Sequence, residues 1–291
     1  MKIAVVGANG QLGSDIVSVF GEHGDNVVEI THAEVELANT ELVRSCIGNS
    51  GAQMVINTAA MHNVERCEQQ PDQAFAVNAI GARNLALVTR EMDAVLVHIS
   101  TDYVFDGAKS EPYVEEDAPL PLNVYGNSKL AGECFVRTLH PKHFVLRTSA
   151  IYGKRPCRAK GGLNFVELML KLGRERGRVR VVNDEFVSPT PTIAIARQVA
   201  ALKDCKEYGL YHATAEGSCS WHQYAKEIFA TAGLAVEVDI ADSSEFPAKV
   251  PRPRYSVLEN RRLKAIGLNV FPSWETGLAE YLNAASMVST S

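Results

Sequence analysis

The sequence predicts an α/β protein: a doubly wound parallel sheet with helices on both faces, followed by a smaller C-terminal α/β region. Three observations carry this. Short apolar runs alternate with amphipathic stretches up to about Ala150, the rhythm of strands joined by crossover helices. The first run, Lys2 to Val6, ends directly in the glycine-rich GANGQLG. Beyond Tyr152 the rhythm gives way to a polar, glycine-bearing loop, KRPCRAKGGLNF, and then to mixed elements.

Taken in order, Lys2 to Val6 is a strand, and Gly7, Gly10 and Gly13 form a GxxGxxG turn before a helical pattern through Phe20. Strand, glycine turn and helix in that order make a Rossmann-like dinucleotide site, where glycines let the backbone approach a pyrophosphate and free N–H groups stabilise its charge. Gln11 and Leu12 supply amides there. A second strand, Asn26 to Ile30, is followed by Thr31 and His32. Neither is an acid for a ribose 2′-hydroxyl or an arginine for a 2′-phosphate, so NADPH is favoured and NADH stays open. Glu36 and Leu37 are expected either beside the adenine or as a solvated acid and a core leucine. The third strand, Gln53 to Thr58, leads to Ala59 and Ala60, small enough for a cofactor to come close. Pro71 opens a long amphipathic helix to about Arg90, with Phe75, Val77, Ile80, Leu85 and Val88 as core positions. Ala94 to Ile99 and His143 to Thr148 are the fourth and fifth strands.

The second half reads as a helix Asn164 to Arg174, a strand Val179 to Val182, a helix Thr192 to Leu202 and a short strand at YHAT. Helices Trp221 to Ala232 and about Trp274 to Leu282 complete it. Residues 1–150 plus about 176–205 are expected to bind the dinucleotide, and about 151–175 plus 206–291 the substrate. Two prolines stiffen VPRPRYSVLEN, which carries Arg252 and Arg254. An arginine fork suits a diphosphate, and Lys154, Arg155, Arg158 and Lys160 are further candidates to meet one.

The chemistry concentrates in residues 98–133. Ser100 and Thr101 close the fourth strand, and Asn123 precedes a helix in which Tyr125 and Lys129 lie four residues apart, on one face. When hydride reaches a ketone carbon, charge grows on oxygen, and a phenol beside it serves as general acid. The expected roles are Tyr125 as acid, Lys129 as the cation that lowers its pKa from about 10, and Thr101 as the hydroxyl holding the same oxygen. A YxxxK spacing alone usually means a packed ring and a surface amine. The N-terminal glycine turn shifts the balance toward chemistry.

The chain has 291 residues, 46% hydrophobic, with net charge −5 and pI about 5.9, so a nucleic-acid surface is disfavoured. No apolar run approaches the ~18 residues of a membrane helix. Six cysteines without a CxxC pair suit reduced thiols and a cytoplasmic protein. His140 and His143 flank Pro141 and form no metal box, and no required metal is expected.

Across almost its whole length the chain resembles the extended short-chain dehydrogenase/reductases and, among them, the dTDP-4-dehydrorhamnose reductase family. The matching segments include GANGQLG at 7, NTAAMHNVERCE at 57, HISTDYVFDG at 98, PLNVYGNSKLAGE at 121, LRTSAIYG at 146, VNDEFVSPT at 182 and RPRYSVLEN at 252. The resemblance implies a nucleotide-sugar substrate and NAD(P)H-dependent reduction of the C4 ketone of dTDP-4-dehydro-L-rhamnose. It implies catalytic roles for Thr101, Tyr125 and Lys129, and cofactor contacts from Gly7 to Gly13, Ala60, Met61 and Lys129. It also implies a sugar pocket lined by Val64, Asp102 and Tyr103, with Asn164 and Arg252 on the nucleotide side, and it leaves a homodimer open. Three positions depart from the family: Ala150 where a tryptophan is frequent, Tyr255 where asparagine is frequent, and 192–194 without an acid to join Asp15 in an interface metal site. Tyr103 stands where a 4,6-dehydratase needs an acid. A reductase of another nucleotide 4-ketosugar, such as one forming dTDP-6-deoxy-L-talose, and a non-catalytic cofactor-binding subunit like the regulatory subunit of methionine adenosyltransferase are the alternatives.

Overall fold

The structure, a computed structural model, describes residues 1–157, 161–245 and 249–288, with side chains to 284. Arg158 and Lys160 of the expected basic loop lie outside the described residues. The strands β1 (Lys2–Val6), β2 (Asn26–Ile30), β3 (Met54–Asn57), β4 (Val95–Thr101) and β5 (His143–Thr148) join the strand Gly209–His212 in one six-stranded sheet. From one edge the order runs Gly209–His212, β5, β4, β3, β1, β2, with every neighbour parallel. β3 and β5 are buried along their whole length, which explains why they read as unbroken apolar runs rather than as alternation.

Side chains alternate between the two faces. Ile3 and Val5 point into a core with Ile16 and Phe20 of the helix Gln11–Glu22 and with Ile195 and Val199 of the helix Thr192–Ala201. Ala4 and Val6 point the other way, toward Val43, Ile47, Leu85, Val88 and Val136. β2 and β3 lie on opposite sides of β1, so the connections leaving β1 and β3 part at the carboxyl ends of the strands and open a crevice there.

The expected single helix from Pro71 takes a π turn at Ala76–Ile80 between helical segments Pro71–Phe75 and Gly81–Glu91. The extra residue in that turn rotates the helix face. Phe75 and Ile80, expected in the core, are therefore 39% and 38% exposed, Val77 lines the crevice, and Leu85 and Val88 alone of the five are buried. The same turn aims Asn78 inward, where its amide bonds the Met61 main chain in both directions at 2.9 Å and donates to Ser128 Oγ.

A third core gathers Tyr152, Val166, Met169, Val179, Val181, Ile228, Phe229, Trp274 and Leu278 around the helices Phe165–Arg176, Trp221–Thr231 and Trp274–Val288. Val179 and Val181 pack with this third core, while Gly209–His212 completes the main sheet.

Candidate active site

A cavity of about 1110 Å³ runs along the crevice from the glycine turn, past Thr101 and Tyr125, to Trp221. At its first end Gly7 has φ +81°, and a Cβ there would stand 2.7 Å from Thr58 Oγ1. A Cβ on Gly13 would stand 2.1 Å from the Gly7 carbonyl oxygen, so only glycine lets the helix start press on the β1 turn. Gly10 is the N-cap and no side chain caps that helix. Its first N–H groups, at Gln11, Leu12 and Gly13, are therefore left for an anion, the geometry a pyrophosphate fits. Thr31, His32, Glu36, Leu37, Ala59, Ala60 and Met61 line the same end. The sequence showed no acid just past β2, yet Glu34 brings one back: its carboxylate accepts from both the amide and the hydroxyl of Thr31.

The helix Val124–Leu139 carries the phenol and the amine. Asn123 caps it, accepting from the Gly126 amide at 2.9 Å and donating to the Pro251 carbonyl. A Cβ on Gly126 would lie 2.2 Å from the Tyr103 carbonyl oxygen, so the helix start seats directly on the turn after β4. That contact brings Tyr125 to Thr101, whose hydroxyl hydrogen-bonds the phenol and favours its ionised form.

Lys129 lines the cavity beside Tyr125. Burial pushes the Tyr125 phenol well above its usual value, with nearby Asp102 and Tyr103 raising it further. The Lys129 ammonium donates to the Ile99 carbonyl at 2.6 Å and lies 3.5 Å from His98 Nε2. Buried at 2% exposure, the amine has its pKa lowered to about 8, against the raising effect of Glu133.

Of the residues assigned to the sugar and nucleotide, Val64, Asp102, Tyr103, Asn164 and Arg252 all line the cavity. Burial raises the Asp102 carboxyl to about 6, while hydrogen bonds from Ser256, Ser149 and Thr101 favour the ionised form. Those hydroxyls hold the carboxylate from within the protein. Tyr103 packs edge-on against Tyr125 with ring centroids 5.8 Å apart, and burial pushes its phenol up to about 12 although Arg252 hydrogen-bonds it. The Asn164 side chain is fully engaged: it caps the helix Phe165–Arg176 and donates to the Gly153 carbonyl and the Tyr281 hydroxyl. Ala150 also lines the cavity, at φ +43°. Arg254 is exposed, and Tyr255 packs beside Phe186 rather than lining the cavity.

Sequence reading missed four groups at the far end, Phe165, Glu185, Trp221 and Tyr224. It also missed a buried pair behind the site, Arg147 with Glu133, bonded at 2.9 and 2.7 Å, with Ser100 donating to the same carboxylate. The polar Arg147 inside an apolar strand run was the one available signal. Asp15 accepts from the Thr192 hydroxyl, and among the described residues no three His, Cys, Asp or Glu side chains gather as a metal ion would need. Among them too, no helix is long and apolar enough to cross a membrane.

A parallel sheet with a glycine cradle at its switch point and a phenol–hydroxyl pair at the inner end of one long cavity defines a Rossmann-like dinucleotide-binding protein. More narrowly, the chain belongs to the family described as the RmlD substrate binding domain, which matches residues 1–287. It is 38% identical to a spore coat polysaccharide biosynthesis protein of Bacillus subtilis, over 98% of both chains. It is 34% identical to a dTDP-4-keto-6-deoxy-D-glucose reductase of Streptomyces niveus, over 95% of this chain and 94% of the other. Among solved structures, a dTDP-4-dehydrorhamnose reductase from Clostridium acetobutylicum superposes with TM-score 0.93 at 39% identity, covering 98% of this chain and 100% of that one. A second, from Bacillus anthracis in complex with NADP, gives 0.92 at 38% identity, covering 97% and 99%.

Proposed function

We propose that the protein catalyses NAD(P)H-dependent reduction of the C4 ketone of dTDP-4-dehydro-L-rhamnose to dTDP-L-rhamnose. The observation that carries this is the single cavity that joins a pyrophosphate cradle at Gly7–Gly13 to Tyr125 and Thr101, and these in turn to Arg252. Relatives covering nearly the whole chain bear the name of that reductase, one of them with NADP bound.

Held at the Gly7–Gly13 turn, NAD(P)H would supply the hydride for the ketone carbon. Tyr125 then gives its proton to the carbonyl oxygen as charge develops there, with Thr101 fixing the direction of the phenol. A phenol whose pKa is raised stays protonated at neutral pH, the state a donor needs, and an alkoxide is basic enough to take that proton. Asp102, held by three hydroxyls, keeps the turn after β4 rigid so that Thr101 and Tyr103 keep their places. Arg252, exposed at the cavity wall, meets the substrate diphosphate as a charge-assisted donor. Residues 1–150 and about 176–205 mainly serve the cofactor and the remainder the nucleotide sugar, in a cytoplasmic setting that suits six unpaired cysteines.

A second reading is favoured by the Streptomyces niveus relative, whose name gives dTDP-4-keto-6-deoxy-D-glucose as its substrate. The test is cofactor oxidation, followed by the absorbance of reduced nicotinamide, with NADPH and NADH against both ketosugars and with product stereochemistry read by NMR. Turnover of dTDP-4-dehydrorhamnose at least tenfold faster than the other sugar supports the first reading. Cofactor binding without reduction of either ketosugar refutes both.

A further inference from the structure

Behind the cavity, a row of polar side chains crosses the apolar layer between β4 and the helix Val124–Leu139. His98 and Ser100, two residues apart on β4, share a face of the strand. Lys129 and Glu133, four apart, share a face of the helix. Ser100 donates to Glu133, while His98 Nε2 lies 3.5 Å from Lys129 Nζ. His98 is 1% exposed, and the reduction as derived above gives it no role.

The neighbours of the ring fix its tautomer. Asn57 on β3 stands opposite His98. Its Oδ1 accepts from the Ala59 amide at 3.1 Å, which leaves Nδ2, a donor only, 3.0 Å from His98 Nδ1. Turning the Asn57 amide over would set Nδ2 against the Ala59 N–H, donor against donor, in a buried place. Nδ1 is therefore the acceptor, and in a neutral imidazole the proton then sits on Nε2. Burial and the Lys129 charge both keep the ring neutral.

An ammonium has only donors to set against that Nε2–H, whereas a free amine has a lone pair. Lys129 as the amine would donate to the Ile99 carbonyl, accept from His98 and keep one N–H for the cavity that it lines. As the ammonium it meets His98 donor to donor. The other titratable groups facing this helix are Glu133 with its partner Arg147 from β5, Tyr125 and Asp102 toward the turn after β4, and Cys67 and Glu68 of the helix Val64–Gln69. Of these, Glu133 favours the ammonium, but its carboxylate is engaged by Arg147 and Ser100.

We propose that His98 is a positioning residue for the reduction: as a fixed Nε2–H donor it favours the free amine of Lys129, and so sets the alkaline limit above which Lys129 no longer presents a cation to the cavity. The inference rests on the reductase reading for its kinetic consequence and on the side-chain geometry for the rest. In the reverse arrangement, with the proton on Nδ1 and the lysine donating to Nε2, the ring stabilises the ammonium. The sign of the effect separates the two.

Heteronuclear NMR of the full chain carrying isotope-labelled histidine reads the tautomer, with the His98 signals assigned by their loss in His98→Phe or His98→Gln. The ring is expected to show a protonated Nε2 and a bare Nδ1 at neutral pH. Labelled lysine follows the amine itself, assigned by its absence in Lys129→Met. Wild-type Lys129 should titrate at about 8, and both His98 variants should move that midpoint up by about one pH unit, a tenfold change. Phenylalanine removes the opposed donor, and glutamine can turn its carbonyl oxygen to the ammonium. The alkaline limb of kcat/KM for NADPH-dependent reduction should move up by the same amount, whereas mere loss of packing would lower kcat/KM alike at every pH. A protonated Nδ1 in wild type, a Lys129 midpoint that falls or stays in the variants, or a limb that stays while the midpoint moves overturns the inference and leaves the reductase reading standing. No turnover of any ketosugar by wild type removes the reductase reading, while the two NMR measurements still decide whether His98 donates to Lys129.

Discussion

Replacing Lys129 by methionine should stabilise the fold at neutral pH while lowering turnover by about 100-fold. The amine is 2% exposed and its pKa falls from 10.5 to about 8, because burial disfavours the charged form more than Glu133 favours it. A fall of that size corresponds to about 3 kcal/mol against the ammonium in the native state. The unfolded chain keeps this proton up to its higher pKa and the native state releases it at the lower one. Between the two values the unfolded state therefore binds more protons, native stability rises with pH, and below the lower value the full penalty stands. Methionine has similar length and removes the penalty, but it also loses the bond to the Ile99 carbonyl, worth about 1–2 kcal/mol. The net gain near pH 7 is about 1–2 kcal/mol and should vanish or reverse near pH 10. Urea unfolding of both proteins at the two pH values measures it. A variant less stable than wild type near pH 7, or a difference indifferent to pH, would refute the reasoning.

Tyr125→Phe should keep NADPH binding and substrate KM within a few-fold while kcat drops by about 10²–10⁴, as steady-state oxidation of the reduced cofactor will report; retention of full rate removes Tyr125 as the acid. Gly13→Ala forces a methyl to 2.1 Å from the Gly7 carbonyl oxygen, so cofactor affinity measured by calorimetry should fall more than tenfold, with Tm lowered as well. Glu133→Ala leaves Arg147, itself 1% exposed, without a counter-charge, at a cost of about 3–5 kcal/mol in urea unfolding. Glu133→Leu combined with Arg147→Met should recover most of that loss, and a double variant as weak as Glu133→Ala would contradict the desolvation argument.

Local pattern made much of the scaffold legible. The bounds of β1, β2 and β5 coincide with the apolar runs that announced them, and the turn at Gly7–Gly13 lies where strand, glycines and helix follow in order. Spacing alone put Tyr125 and Lys129 on one helical face. What the pattern missed lay in contacts between distant segments. The rotation of Phe75 and Ile80 toward solvent depends on a π turn that suits Asn78 to Met61 and Ser128. The return of an acid to the end of β2 depends on how the chain after Ile30 folds back onto Thr31.

Period and glycine placement are properties of neighbouring residues, so the sequence by itself determined the parallel sheet, the cofactor turn and the order of hydroxyl, phenol and amine. Charge and proton affinity depend on which distant groups surround an atom and how much water reaches it. Only the tertiary structure could therefore turn Lys129 onto the Ile99 carbonyl, hold Asp102 with Ser149 and Ser256, and stand Glu185 against Trp221 across a strand pair.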